Sequence, residues 1–287
     1  MEKAQANIRI NEVRAIIIEA NRKYYVENAP TLSDYEFDML LKELEALEKE
    51  HPDLVTPDSP TQKVGSDLDQ KEAKGKAKEF QQYPHRFPML SLGNTYDIAE
   101  VQAFADRAAK GIGNTFTYSC ELKFDGTAIC LTYRNGKLFR ALTRGDGTVG
   151  DDVTENARQI GNIPQQLSGS GWPEEFEIRG EVYMPWAAFD RLNEEREREE
   201  EQPFANPRNA ASGSLKLIDS SMVANRGLEC TLYHMLGEDL PFATHDEALG
   251  KACEWGLPVS DKRKLCKSIE EIEEFITYWD TERKMLP

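Results

Sequence analysis

The sequence predicts an α+β protein in which an N-terminal helical hairpin precedes a core of antiparallel sheets flanked by helices. Two amphipathic stripes in the first 50 residues predict the hairpin. Two apolar runs at 127–134 and 137–143, joined by Asn135-Gly136, predict an antiparallel pair with a type I′ turn. Antiparallel hairpins mixed with flanking helices favour α+β over a doubly wound parallel sheet.

The hairpin is predicted from two apolar stripes separated by Pro30. Ser33 and Glu36 fit a capping box at the start of the second helix. The first stripe consists of Ile8, Val13, Ile16, Ile17, Ala20 and Tyr24. The second consists of Phe37, Leu40, Leu41, Leu44 and Leu47. Because two amphipathic helices cannot bury both apolar faces alone, we expect the hairpin to dock on the rest of the protein.

Residues 52–95 are predicted to form an irregular linker, because they contain four prolines from Pro52 to Pro84 and a run of charged residues. Asp97 then begins a helix. The remaining strands are expected near 116–122, 127–134, 137–143, 176–183 and 228–235. The remaining helices are expected near 151–160, 186–200, 245–255 and 269–283.

Composition limits the classes of function. A net charge of −16 over 287 residues argues against this chain gripping nucleic acid on its own, since phosphate neutralisation needs clustered Lys and Arg. We expect no membrane span, because no apolar run reaches about 18 residues. Five cysteines without CxxC spacing and four histidines disfavour a zinc site and indicate free thiols in a reducing, cytoplasmic setting.

Lys123 is the first candidate catalytic residue, because it precedes Asp125 and Gly126 at the end of a predicted strand. An amine beside an acid and a flexible turn is suited to attack an activated phosphate. A free lysine has a pKa near 10.4, so a fully neutral amine requires roughly 4 kcal/mol of bias at pH 7.5. Burial and nearby cations such as Arg144, Arg208 or a metal could supply this bias. Alone, the pattern favours an ordinary strand-end lysine before a turn.

Other chemistry-bearing residues accompany Lys123. Glu121 points to the same face if the stretch is extended. Glu181 follows Gly180, which would let a ligand approach the backbone. Arg144 precedes a glycine-rich turn, and Arg208 lies in a segment rich in small residues. Together they predict a binding site for a phosphate or a ribose.

Eight segments in order resemble the N-terminal region of bacterial NAD-dependent DNA ligases, and the resemblance covers essentially the whole chain. The segments are YYVENAPTLSDYEFD, HPDLVTPDSPTQKVG, PMLSLGN, ELKFDG, TRGDGTVGDDVT, EIRGEVYMP, NPRNAASGSL and WGLPVSD. The resemblance implies an NMN-binding helical subdomain at 1–65 and a nucleotidyltransferase (adenylation) core at 66–287. It also implies that the family continues past Pro287 into a strand with a metal-side acid and a second lysine. We therefore expect an adenylation core truncated at its C-terminal end.

The resemblance assigns roles by position. Lys123 matches the lysine that becomes linked to AMP, with Asp125 as the acid beside it. Glu121 matches the acid that reads the adenine edge. The other matching positions contact the adenosine, ribose or phosphate, in part through the main chain: Ser91, Leu92, Arg144, Glu181 and Arg208.

The N-terminal hairpin is implied to close over the NMN half of NAD. A cationic nicotinamide ring favours an aromatic face with carboxylates nearby. Asp34 and Asp38 are four residues apart and share one helix face, where a cationic ligand would relieve their repulsion. The matching positions are Tyr24, Tyr25, Asp34, Tyr35, Glu36, Phe37 and Asp38.

The resemblance implies self-adenylation of Lys123 by NAD, with Mg2+ as cofactor, release of NMN, and a monomeric protein. Nicked duplex DNA is then a partner only of the full-length enzyme. Two alternatives stay open: an ATP-dependent ligase or capping-type nucleotidyltransferase, and a fragment that binds the nucleotide but reacts weakly. The hairpin disfavours the first, and the expected truncation supports the second.

Overall fold

The N-terminal hairpin consists of α1 (Lys3–Tyr25) and α2 (Asp34–Glu50). The computed structural model describes residues 3–25, 31–62 and 80–286, without the side chains of Tyr25 and Asp34. The predicted capping box is confirmed, because Ser33 Oγ accepts from the Glu36 backbone N–H and the Glu36 carboxylate accepts from the Ser33 N–H. This reciprocal pair fixes the start of α2.

The apolar stripe of α1 differs from the prediction. Ile8 and Ile16 are 61% and 42% exposed, so their inclusion in the stripe was wrong. The side chains that meet α2 are spaced three and four residues apart, as a helix face requires. The buried cluster of the hairpin contains Ile10, Val13, Ile17, Leu44 and Leu47.

The segment after α2 packs on the hairpin. Glu48 is only 5% exposed and accepts hydrogen bonds from Ser59 Oγ at 2.6 Å and from Thr61 Oγ1. Arg14 Nη2 donates to the same carboxylate at 2.5 Å and to the Leu54 carbonyl at 3.0 Å. The beginning of the predicted linker therefore belongs to the hairpin. Residues 63–79 of that prediction lie outside the described residues. Residues 80–95 are irregular as predicted except at Gln82–Pro84, which form a short strand.

The core is built on a four-stranded antiparallel sheet with strand order β4-β3-β6-β7. Two two-stranded sheets, β1-β5 and β2-β8, flank it. Asn135 and Gly136 both have positive φ, which confirms the predicted type I′ turn between β3 and β4. The strands are β1 (Gln82–Pro84), β2 (Tyr118–Glu121), β3 (Thr127–Arg134), β4 (Lys137–Thr143), β5 (Val149–Asp151), β6 (Glu175–Tyr183), β7 (Glu229–Leu236) and β8 (Arg263–Cys266).

Six further helices accompany the three sheets within the described residues, which confirms the α+β class. Two differ from the predictions. The helix predicted at 151–160 is a single turn, and Pro207–Leu215 forms a helix where none was predicted. The six are α3 (Ile98–Ile112), α4 (Thr154–Ala157), α5 (Trp186–Arg198), α6 (Pro207–Leu215), α7 (His245–Glu254) and α8 (Ile269–Glu282). Within the described ranges, no helix has the length and apolarity that crossing a membrane requires.

Candidate functional site

Lys123 lies in the connection between β2 and β3, because β2 ends at Glu121. Its side chain is exposed, so the expectation that it is buried was wrong. Because Lys123 lies outside β2, the alternation of side chains along a strand does not by itself place it on the same face as Glu121.

Gly126 brings the Lys123 connection against β6. A Cβ at this position would lie 2.1 Å from the Val182 carbonyl oxygen, so only glycine fits without a shift of the backbone. The Gly126 backbone N–H donates to Glu181 Oε1 at 3.2 Å. The turn is thereby held directly over the carboxylate of β6.

Glu181 interacts electrostatically with three other charged residues of the site. Burial raises the pKa of its carboxyl to about 7, which means that burial outweighs the cations around it. Lys123 and Arg208 lower this pKa and the Asp125 charge raises it. These four groups interact through space, so the structure brings together the predicted nucleophile, its neighbouring acid and two residues of the predicted nucleotide site.

Arg208 connects the core to the N-terminal hairpin. Its Nη1 lies 3.2 Å from Asp125 Oδ1, and its guanidinium lies 5.6 Å from the centre of the Tyr24 ring. The neighbouring Asn209 donates to the Tyr24 carbonyl at 3.4 Å. The first turn of α6, begun by an Asn206 cap and Pro207, therefore presents Arg208 between the Lys123 connection and α1.

Glu121 is half-buried at the end of β2. Burial raises the pKa of its carboxyl, but hydrogen bonds from His245 and Ser119, both at 2.8 Å, outweigh burial and hold the pKa below its ordinary value. His245 reaches Glu121 from the first residue of α7. This contact was not predicted from the sequence, because the two residues belong to elements far apart in the chain.

Arg144 begins the predicted turn, and Gly145 and Gly147 both have positive φ there. The His85 imidazole donates to the Arg144 carbonyl at 3.0 Å, which joins the turn to the segment after β1. Burial raises the pKa of the Tyr233 phenol to about 12, with Arg144 among the charges that lower it. Tyr233 thus lies near the predicted site, although its position among the apolar residues of β7 carries no local signal of this.

Ser91 and Leu92 follow the buried Met89, whose backbone N–H donates to the Gly147 carbonyl at 2.8 Å. Both residues are exposed, Leu92 to 78%. Both residues are therefore open to solvent close to the Arg144 turn.

The remaining hairpin residues have several environments. Asp38 accepts from Asn94 Nδ2 at 2.8 Å and from the Tyr96 hydroxyl, and Tyr35 packs edge-on against Tyr96 at 5.7 Å. The Glu36 carboxylate serves the capping box, and Phe37 packs on the apolar cluster of the hairpin. The predicted side-chain roles of Tyr25 and Asp34 lie outside the described residues.

The described residues contain no group of three or more His, Cys, Asp or Glu side chains that could hold a metal ion. Mg2+ needs no such group, because it is usually held by one or two carboxylates together with substrate phosphates. Asp125 and Glu181 are two carboxylates at the site, so the donor set fits a Mg2+ that arrives with a phosphate.

Two comparisons define the class of protein. Residues 77–287 match the family described as NAD-dependent DNA ligase adenylation domain. Residues 3–65 match the DNA ligase-like, N-terminal NAD+-binding domain. The chain is thus an adenylation domain preceded by an NAD+-binding domain.

Known relatives agree with this class. The chain is 52% identical to a DNA ligase of Parabacteroides distasonis over 279 residues, 97% of the chain and 41% of that relative. Relatives of the same name from Phocaeicola vulgatus and Bacteroides fragilis are 51% and 50% identical, with the same coverage. The chain belongs to the family of NAD-dependent DNA ligases. It spans about two fifths of the length of these curated relatives.

Proposed function

We propose that this chain carries out the self-adenylation step of an NAD-dependent DNA ligase. The observation that carries the proposal is the convergence of Lys123, Asp125, Glu181 and Arg208, with Tyr24 of the hairpin beside Arg208. Lys123 attacks the α-phosphorus of NAD. A nitrogen–phosphorus bond forms, the bond to the NMN phosphate breaks, and the lysyl-AMP intermediate and NMN are the products.

The surrounding residues support this transfer. The amine must lose a proton as the new bond forms, and Glu181, whose carboxyl pKa burial raises to about 7, can accept it. Arg208 and Arg144 supply positive charge for the phosphate oxygens, and Glu121 reads the adenine. When Mg2+ is bound, it would neutralise phosphate charge, and Asp125 would hold it together with the phosphates.

The hairpin supports NAD as the AMP donor. In this proposal, residues 1–65 form the NMN-binding subdomain and residues 66–287 the adenylation core. Tyr24 faces Arg208 across the boundary, and Asp38 supplies a carboxylate for the cationic ring. Five further hairpin residues and two residues before α3 complete the proposed cofactor site: Tyr25, Asp34, Tyr35, Glu36, Phe37, Ser91 and Leu92.

The role in the complete enzyme follows from the chemistry of the adduct. The lysyl-AMP passes its AMP to a 5′-phosphate at a nick in duplex DNA, and the nick is then sealed, as replication and repair require. The acidic net charge of −16 fits a division of labour in which regions outside this chain hold the DNA. We propose a monomer acting in the cytoplasm.

Intact-mass measurement after exposure to NAD tests the proposal. The wild-type chain should gain the mass of one AMP, and Lys123→Ala should gain none. Lys123→Arg is the matched control, because it keeps the positive charge but not a nucleophilic amine, and it should also stay unlabelled. A Lys123→Ala variant that labels as well as wild type, or equal labelling from ATP and NAD, would contradict the proposal.

A further inference from the structure

His245 of α7 forms a hydrogen bond with Glu121 at the end of β2. It is the first residue of α7, whose start is fixed by a capping box between Thr244 and Glu247. Its Nε2–H donates to Glu121 Oε1 at 2.8 Å. A carboxylate can only accept, so this contact also fixes the proton on Nε2.

The two protein donors to Glu121 meet at one oxygen. Ser119 Oγ donates to Oε1 at 2.8 Å, as His245 does. Among the residues that the structure describes, no donor reaches Oε2. The carboxylate is therefore fixed in orientation while one of its oxygens stays available to a ligand. The hydrogen bonds that lower the pKa of Glu121 keep its carboxylate ionised near neutral pH, so Oε2 can only accept a hydrogen bond.

The arginine opposite Glu121 on the neighbouring strand pairs with another residue. Arg263 is the register partner of Glu121 on β8, but its guanidinium is paired with Asp246. The centre of the His234 ring lies 5.9 Å from the centre of the His245 ring. Burial lowers the pKa of His234, and His245 lowers it further. Glu121 is thus held by His245 and Ser119, and in the described residues no arginine forms a bidentate pair with its carboxylate.

We propose that His245 is a positioning residue for recognition of the base. It holds Glu121 so that Oε2 accepts a hydrogen bond from the exocyclic 6-amino group of adenine. A purine with a 6-oxo group presents an acceptor at that place and is repelled by the carboxylate. This inference rests on the proposed function, in which Glu121 reads the adenine, and adds the residue that sets the discrimination.

Binding of AMP and of IMP by the chain, measured by calorimetry, tests this role, because the two nucleotides differ at the 6-position. Wild type should prefer AMP. His245→Met, which removes the donor, should reduce the ratio of the two affinities by about tenfold. His245→Gln has a side chain of similar shape that keeps an N–H donor, and it should retain the ratio within about threefold of wild type.

Three results have distinct meanings. Equal loss of the ratio in His245→Met and His245→Gln would show that His245 serves only the packing of α7, and so would overturn the inference. A wild-type ratio in His245→Met would overturn it too. Failure of wild type to bind AMP would contradict the proposed function and this inference with it. Because the His245 side chain is 39% exposed at a helix start, both variants should fold. Lys251→Ala, on the exposed side of α7, should leave the ratio unchanged.

Discussion

Asn94 Nδ2 lies 2.8 Å from Asp38 Oδ2, and this hydrogen bond joins the second helix of the hairpin to the segment before α3. The Tyr96 hydroxyl donates to the same oxygen, and Lys42 lies 4.3 Å from the centre of the Tyr96 ring. Lys42 also pairs with Glu100 at 3.2 Å. Asp38, the carboxylate proposed to face the nicotinamide ring, therefore already accepts two hydrogen bonds in this arrangement of hairpin and core.

Tyr96→Phe should strengthen the binding of NAD relative to AMP. The substitution removes one of the two hydrogen bonds that Asp38 must give up before it can face a cationic ring. We expect the ratio of NAD to AMP affinity to rise roughly threefold to tenfold, as one hydrogen bond to a charged group allows. Calorimetry with both ligands measures it. Tyr278→Phe, at an exposed position on α8, is the control. An unchanged ratio in Tyr96→Phe would show that the contact does not compete with the ligand.

Glu181→Gln should increase stability above pH 7. The carboxyl has its ordinary pKa of 4.5 in the unfolded chain and about 7 in the folded protein, so the folded state binds more protons between these values. The wild type therefore loses stability as pH rises through this window, and a neutral glutamine avoids the loss. We expect a gain on the order of 1 to 3 kcal/mol at pH 8 and little gain at pH 4. Urea unfolding at both values measures it, with Glu197→Gln as the exposed control.

Elements fixed by local chemistry could be predicted from the sequence. The β3–β4 hairpin matches its prediction because Asn135-Gly136 determines both turn and register, and α2 begins where its capping box does. Strand β8 was missed because it forms only by pairing with β2, far away in the chain. Helix α6 was missed because its glycine and serines have low helix propensity, and its stability comes from the buried Ala210 and Ala211.

In the candidate site, too, the residues with local motifs could be predicted from the sequence and the contacts between distant elements could not. The motifs around Lys123, Glu181 and Arg208 indicated residues that the fold brings into mutual range. The support for Glu121 comes from His245 on another element, and no local pattern indicates a contact of that kind. The exposure of Lys123 was also not predicted, because it depends on which distant elements pack over the connection.

Gly126→Ala should destabilise the protein and displace Lys123. The new Cβ would lie 2.1 Å from the Val182 carbonyl oxygen, on a backbone that cannot move without disturbing the central sheet. We expect a loss of about 2 kcal/mol or more in the free energy of unfolding. Adenylate labelling should fall as well, since the turn carries the nucleophile. Gly111→Ala near the end of α3, where nothing lies within 4 Å, should be neutral or stabilising. Equal stability of the two variants would contradict this account of the turn.

Glu48→Ala should loosen the segment after α2 from the hairpin. The substitution leaves the Arg14 guanidinium, which is 12% exposed, without its partner carboxylate, and it removes the acceptor of Ser59 and Thr61. Removing one partner of a buried ion pair costs roughly 3 kcal/mol, because the other charge stays buried. Urea unfolding measures the loss, and limited proteolysis should show faster cleavage within 52–62. Glu45→Ala, an exposed carboxylate on the same helix, should change neither. Unchanged cleavage in Glu48→Ala would mean that Arg14 and the Leu54 carbonyl suffice to hold the segment.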